Sequence, residues 1–297
     1  MSAAHAFAPP PADVVEADVA SALAEDIGTG DVTAQLLPDA PDSAYLLCKQ
    51  DCVVAGRPWF DACHRALDPE VRIEWRCHEG DSATKGTVLA TLQGRNRALV
   101  SAERASLNFL QTLSGVATLT ASYVDAVRGA HAPLPDPLIL DTRKTLPGLR
   151  QAQKYAVRVG GGVNHRMALY DAVMLKENHI RAFGSVAAAI ARARALHPDL
   201  PLIVEVETLA QLREALHESP TRVLIDDFDA DTRREAVRIA HAPPFDGRVP
   251  LEVSGGVDLD TVRAIAADGV DCISIGALTK HVQAIDLSLK LGPAPGE

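Results

Sequence analysis

The sequence predicts an α/β protein: a βα barrel preceded by a smaller part that mixes strands and helices. From residue 138 onward six short apolar runs recur, each separated by enough chain for a helix, as parallel strands with helical crossovers require. No Gly-rich dinucleotide fingerprint follows any of these runs, so a closed or nearly closed sheet is favoured over an open doubly wound one. Between residues 44 and 100, by contrast, apolar positions mostly alternate with period two, and a Pro-rich linker, APLPDP at 132–137, separates the two grammars.

Residues 13–26, DVVEADVASALAED, repeat apolar positions at helical spacing and stop at Gly28 and Gly30. AYLLCKQDCVVAG, VRIEWRCHEGD and TVLATLQG then read as strands with Gly and Asp turns, interrupted by a helix over 58–67 that Pro58 opens. A long helix is expected over 101–127, with Leu107, Leu110, Leu113 and Ala117 on its apolar stripe. Arg104, Asn108 and Gln111 line its other side, a polar stripe that suits solvent or a functional contact equally. Beyond the linker the strand runs are 138–140, 172–175, 202–206, 223–225, 251–253 and 272–275, with helical patterns such as SVAAAIARARAL and LDTVRAIAADG between them. Finally Ile285, Leu287, Leu289 and Leu291 alternate with Asp286, Ser288, Lys290 and Gly292, which predicts a half-buried strand. The barrel array is complete before it, so it is expected to return to the sheet of the first part. The domain boundaries that follow are 1–117 together with 285–291, and 118–284 for the barrel.

An apolar content of 47% and a charged content of 23% are ordinary for a soluble globular chain of 297 residues. A net charge of −10 argues against a general nucleic-acid or anionic-membrane binder. No apolar stretch approaches the ~20 residues of a membrane span. MSAAHAFAPPPADVV lacks the basic and apolar regions of a signal peptide and reads as a frayed tail, so the cytoplasm is the expected compartment. Five cysteines, an odd number, then predict free buried thiols. Cys48, Cys52, Cys63 and Cys77, even with His64 and His78, do not match paired zinc-ligand spacings. HEGDSATKGTVLATL looks like the turn of biotinyl or lipoyl carriers, but Lys85 lacks the flanking residues of a carrier lysine.

Against this acidic background residues 138–180 are cationic: Arg143, Lys144, Arg150, Lys154, Arg158, Arg166 and Lys176 face only Asp141, Asp171 and Glu177. Unit charges ~4 Å apart repel by about 4 kcal/mol at an effective dielectric near 20, so a cluster of them implies an anionic ligand. In βα barrels chemistry gathers at the C-terminal strand ends. Those ends here are Asp141-Thr142-Arg143-Lys144, Lys176-Glu177-Asn178, Glu205 with Glu207, Asp226-Asp227, Ser254-Gly255-Gly256 and Gly276-Ala277. Early strands supply cations, middle strands carboxylates, and the last two supply small residues whose backbone N–H groups can approach a phosphate. Gly160-Gly161-Gly162 weakens any regular element and marks a loop of unusual backbone, followed by Asn164-His165-Arg166.

DTRKTLPG, AVRVGGGVNHR, YDAVMLKENHI, VEVE, LEVSGGV and ISIGALTKH resemble, in order and spacing, quinolinate phosphoribosyltransferase. EDIGTGDVT and ERASLNFLQTLSGVAT extend the resemblance over nearly the whole chain. It implies an incomplete, TIM-like barrel of seven strands behind an N-terminal α/β sandwich domain, assembled as a homodimer with a shared active site, or as a hexamer. It also implies conversion of quinolinate and phosphoribosyl pyrophosphate to nicotinate mononucleotide, pyrophosphate and carbon dioxide, with Mg²⁺, in NAD biosynthesis. By resemblance, Arg143, His165, Arg166 and Lys176 surround the dicarboxylate and Arg104 reaches in from the neighbouring subunit. Lys144 stands near the pyrophosphate, Thr142 joins the substrate pocket, and Glu205 and Asp226 lie near the ribose hydroxyls and metal. Ser254, Gly255 and Gly256 with Gly276 and Ala277 match the 5′-phosphate site. Asp227 departs from the family, where Asn is usual, and Val159 stands where many members have Cys.

Two other chemistries suit the same residues. A phosphoribosyltransferase for another anionic ring would differ only in pocket shape. A Schiff-base lyase would use Lys176 as a strand-end amine among cations.

Overall fold

The computed structural model describes residues 7–132 and 135–296. Pro133 and Leu134 of the expected linker and the first six residues of the expected tail lie outside that description. The chain forms two compact units: 1–121, 145–161 and 278–297 make one, 122–144 and 162–277 the other. The first boundary therefore falls a few residues beyond the expected 117, and the stretch 145–161, assigned to the barrel from sequence, clusters with the first unit.

The first unit opens with α1 (Ala12–Ile27), then β1 (Pro41–Cys48), β2 (Cys52–Val53), α2 (Arg57–Leu67), β3 (Arg72–Trp75), β4 (Ser82–Ala83) and β5 (Val88–Arg95). The long helix α3 (Asn96–Val127) follows and carries the chain into the second unit. Pro58 falls in the first turn of α2, as its sequence predicts. Gly56 offers that helix no side-chain cap, and the Glu79 carboxylate substitutes by accepting from Gly56 N at 3.0 Å and Arg57 N at 2.7 Å. The tail does not fray throughout: Arg158 donates to the Ala8 carbonyl at 2.9 Å.

The first strand of the second unit is β6 (Leu138–Leu140); α4 (Arg150–Val159) belongs to the first unit. β7 (Val173–Leu175), α5 (Glu177–Phe183), α6 (Val186–Leu196), β8 (Leu202–Val206) and α7 (Leu209–His217) continue the alternation. β9 (Arg222–Asp226), α8 (Ala230–His241), β10 (Leu251–Ser254), α9 (Val262–Ala267) and β11 (Cys272–Ser274) complete it. Ser185, Thr208 and Asp229 cap α6, α7 and α8 through their side-chain oxygens. Ladder order is β6-β11-β10-β9-β8-β7, all parallel, and β6 is not paired with β7. The barrel is thus incomplete, but among the described residues it has six ladder strands where the resemblance implied seven. The seventh position is reduced to one bridge residue, Val163, beside Leu140. The glycines preceding it break the regular backbone, and Asp141 holds the residues that follow it in place of a ladder.

The chain then adds α10 (Ala277–Lys280) and β12 (Leu287–Leu291). β12 pairs antiparallel with β1, Leu289 opposite Leu46, in a four-stranded sheet ordered β12-β1-β5-β3. Ile285, Leu287 and Leu289 enter one core with Leu46, Leu89, Leu92, Leu107 and Leu110. Gln111, read from sequence as part of a polar stripe, fastens this return: its carbonyl accepts Ile285 N at 3.0 Å and its amide donates to Leu287 O at 3.3 Å. Arg104 and Asn108 of the same stripe are exposed.

Candidate active site

Period-two alternation places Glu205, Asp226, Ser254 and Glu252 on one face of the parallel sheet. β7 and β8 run in register, so Lys176, the residue after β7, stands beside Glu205. Their side chains meet at 2.5 Å, which compensates the buried Glu205 carboxylate and fixes the lysine. Asp226 ends β9 opposite Ser254 at the end of β10. Gly255 follows at φ 97°, a conformation that favours glycine, beside Asp226: a Cβ there would lie 3.9 Å from its Oδ1, at ordinary contact. Asp227 takes φ 57°, a left-handed conformation in which Asp and Asn are the tolerated non-glycine residues.

On β6 the tip is organised by Asp141, which is fully buried. Its Oδ2 accepts Asn164 Nδ2 at 2.6 Å and its Oδ1 accepts His165 N at 2.8 Å. Asn164-His165-Arg166 is therefore tied to the strand that carries Arg143 and Lys144. Arg166 N donates to His165 Nδ1 at 2.7 Å, and Arg166 Nη1 donates to Ala172 O at 3.1 Å. Burial, followed by the charge of neighbouring Arg143, pulls the Arg166 guanidinium below its ordinary pKa, with Asp171 opposing. Two half-buried guanidiniums near enough to repel form the electrostatic centre that the sequence predicts.

Lys144 is exposed, its backbone N–H donating to Thr142 Oγ at 3.1 Å. It passes over Gly276, where a Cβ would come within 3.0 Å of Lys144 Cδ and 3.6 Å of Thr142 Oγ. Ala277 starts the one-turn α10. The other cations of the 138–180 stretch, Arg150, Lys154 and Arg158, belong to the first unit. Arg150 bonds Thr145 Oγ at 3.2 Å and Arg158 reaches Ala8, both within the first unit, as is the exposed Arg104.

Glu252 escaped the sequence reading, which searched strand tips. It lies mid-strand, with Oε2 2.9 Å from Arg222 Nη1 and Oε1 3.4 Å from His165 Nε2. Burial works to raise its pKa, and His165, Ser274 and Arg222 together outweigh burial and lower it. The signal available was a lone carboxylate between Leu251 and Val253 in an otherwise apolar run.

Glu205 and Asp226 offer hard oxygen donors from neighbouring strands, a donor set suited to Mg²⁺. Among the described residues no three His, Cys, Asp or Glu side chains come together as a metal cage. The fit is to an ion completed by substrate and water oxygens, as magnesium commonly is.

The family model for the C-terminal domain of quinolinate phosphoribosyl transferase matches residues 116–290, and that for the N-terminal domain matches 31–114. The chain is 41% identical to a mitochondrial quinolinate phosphoribosyltransferase [decarboxylating] 2a of Nicotiana tabacum, over 91% of this chain and 80% of that one. It is 41% identical to nicotinate-nucleotide pyrophosphorylase [carboxylating] of Mycobacterium leprae, over 94% and 98%. The solved nicotinate-nucleotide pyrophosphorylase of Francisella tularensis superposes with a TM-score of 0.88 at 40% identity, covering 95% of this chain and 97% of that one. By sequence and by fold, this chain belongs to the quinolinate phosphoribosyltransferase family.

Proposed function

We infer that the protein transfers the phosphoribosyl group of phosphoribosyl pyrophosphate to quinolinate and releases carbon dioxide, giving nicotinate mononucleotide and pyrophosphate. The observation that carries this reading is the mutual repulsion of half-buried Arg143 and Arg166 beside the loop that Asp141 ties to β6, charges that a planar dicarboxylate would neutralise. Lys176 belongs to the same pocket, with His165 in its wall. Arg104 is proposed to reach the pocket of the partner subunit in a homodimer, supported by its exposure on α3. Ser254, Gly255, Gly256, Gly276 and Ala277 suit the 5′-phosphate, and Thr142 the ribose or pyrophosphate beside them.

Displacement of pyrophosphate from the ribose passes through an oxocarbenium-like state, so catalysis is mainly positioning and charge stabilisation. Lys144 offsets charge gathering on the leaving pyrophosphate. Glu205 and Asp226 orient the ribose hydroxyls and stabilise positive charge on the sugar, and they are the residues that would hold Mg²⁺. Magnesium, when bound, neutralises pyrophosphate oxygens. Once the ring nitrogen is ribosylated, the pyridinium accepts the electrons left by the departing 2-carboxylate, and no dedicated base is required. The Schiff-base alternative is disfavoured because Lys176 Nζ would first have to leave its 2.5 Å ion pair with Glu205. Carbon dioxide release from quinolinate, measured with and without phosphoribosyl pyrophosphate, tests the reading. Release that depends on both substrates is expected, and release that ignores phosphoribosyl pyrophosphate would overturn it.

A further inference from the structure

Glu252 sits fully buried in the middle of β10, where an ionised carboxylate is strongly disfavoured unless paired and hydrogen-bonded. Register sets it between Leu224 of β9 and Cys272 of β11, neither of which can satisfy it. Its two oxygens divide their partners. Oε2 takes Arg222 at 2.9 Å, and Oε1 faces His165 Nε2 at 3.4 Å. Across the imidazole, Nδ1 accepts the Arg166 backbone N–H at 2.7 Å. A ring nitrogen that accepts a backbone N–H carries no proton of its own, so the proton of neutral His165 lies on Nε2, the nitrogen nearer Glu252.

One ring nitrogen thus accepts a backbone N–H and the other lies 3.4 Å from a buried carboxylate oxygen, on a side chain only 7% exposed. We propose that Glu252 is a positioning residue of the anion site: it fixes the His165 tautomer, and His165 Nδ1 in turn fixes the backbone that aims Arg166 beside Arg143. The activity readout of this assignment rests on the phosphoribosyl-transfer reading; its geometry does not. Asp141 independently anchors Asn164 and the His165 N–H, so loss of Glu252 leaves the loop attached and removes only the carboxylate facing the His165 ring.

Glu252→Gln keeps the side-chain shape, and the double variant with Arg222→Gln leaves no guanidinium buried without its partner. Thermal melting, KM for each substrate, and ¹⁵N NMR of the His165 ring are to be measured on both. Folded variants should show KM for quinolinate raised roughly tenfold, with KM for phosphoribosyl pyrophosphate within about twofold of wild type. The His165 Nδ1 signal should move from unprotonated toward mixed protonation. A folded double variant with wild-type KM for quinolinate, or with Nδ1 still unprotonated, overturns the proposal. If the wild-type protein consumes no quinolinate, the reaction reading fails and the ring-nitrogen signals alone decide the role of Glu252.

Discussion

Lys144 and His64 show how differently two titratable side chains can be used. Lys144 is exposed at a strand tip, its stem against Gly276. Lys144→Ala should therefore melt like wild type while kcat/KM falls roughly 10²–10³-fold, the scale of losing one charge-stabilising group in the transition state. Activity within about threefold of wild type would remove Lys144 from the mechanism. His64 is instead sealed in the first unit against the Phe60 ring at 4.7 Å, with no hydrogen-bond partner on either ring nitrogen among the described residues. Burial pushes its pKa down from 6.5 to about 4. Between those values the unfolded chain binds a proton that the folded chain refuses, so stability must fall as pH drops through that window. The loss should reach about 3 kcal/mol near the lower end. Urea midpoints from pH 7 down to 4 should show this slope in wild type and a flatter one in His64→Leu; parallel slopes would clear His64 of the effect.

At the scale of elements, the helix crossing of α3 and α4 depends on absence of a side chain. A Cβ at Gly160 would lie 2.4 Å from the Ala117 carbonyl, whereas Gly161 is needed for its φ of 88°. Two adjacent glycines thus answer two different demands. Gly160→Ala should destabilise by roughly 1–3 kcal/mol or more in urea unfolding, because backbone must move; a change under about 0.5 kcal/mol would mean the helices separate freely. Strand positions were legible in the sequence because each is a short apolar run with a polar tip, and β12 because Ile285, Leu287 and Leu289 keep strict alternation. Val163 was not, since a single bridge residue has no period. Glu252 was not, since its purpose depends on Arg222 and His165, which are distant in sequence. Nor could periodicity say which unit α4 belongs to.

For the whole molecule the decisive question is what Arg104 serves. It is exposed on α3 in the first unit, whereas Arg143, Lys144, Arg166 and Lys176 belong to the second. If Arg104 acts in the partner's pocket, mixing inactive Arg104→Ala with inactive Lys144→Ala gives hybrid dimers in which one pocket carries both lesions and the other none. Random reassortment should then restore about a quarter of wild-type activity. Hybrids that demonstrably form yet stay inactive would place Arg104 in its own subunit or outside the reaction. The interleaved order of the two units matters before any dimer exists. β1 is synthesised early, but β12, its partner on one edge, follows all six barrel strands. At ordinary ribosomal speeds the nascent chain therefore carries a bare β1 edge for roughly ten to fifty seconds. Until the last strand emerges, any other extended segment in reach can bind in its place.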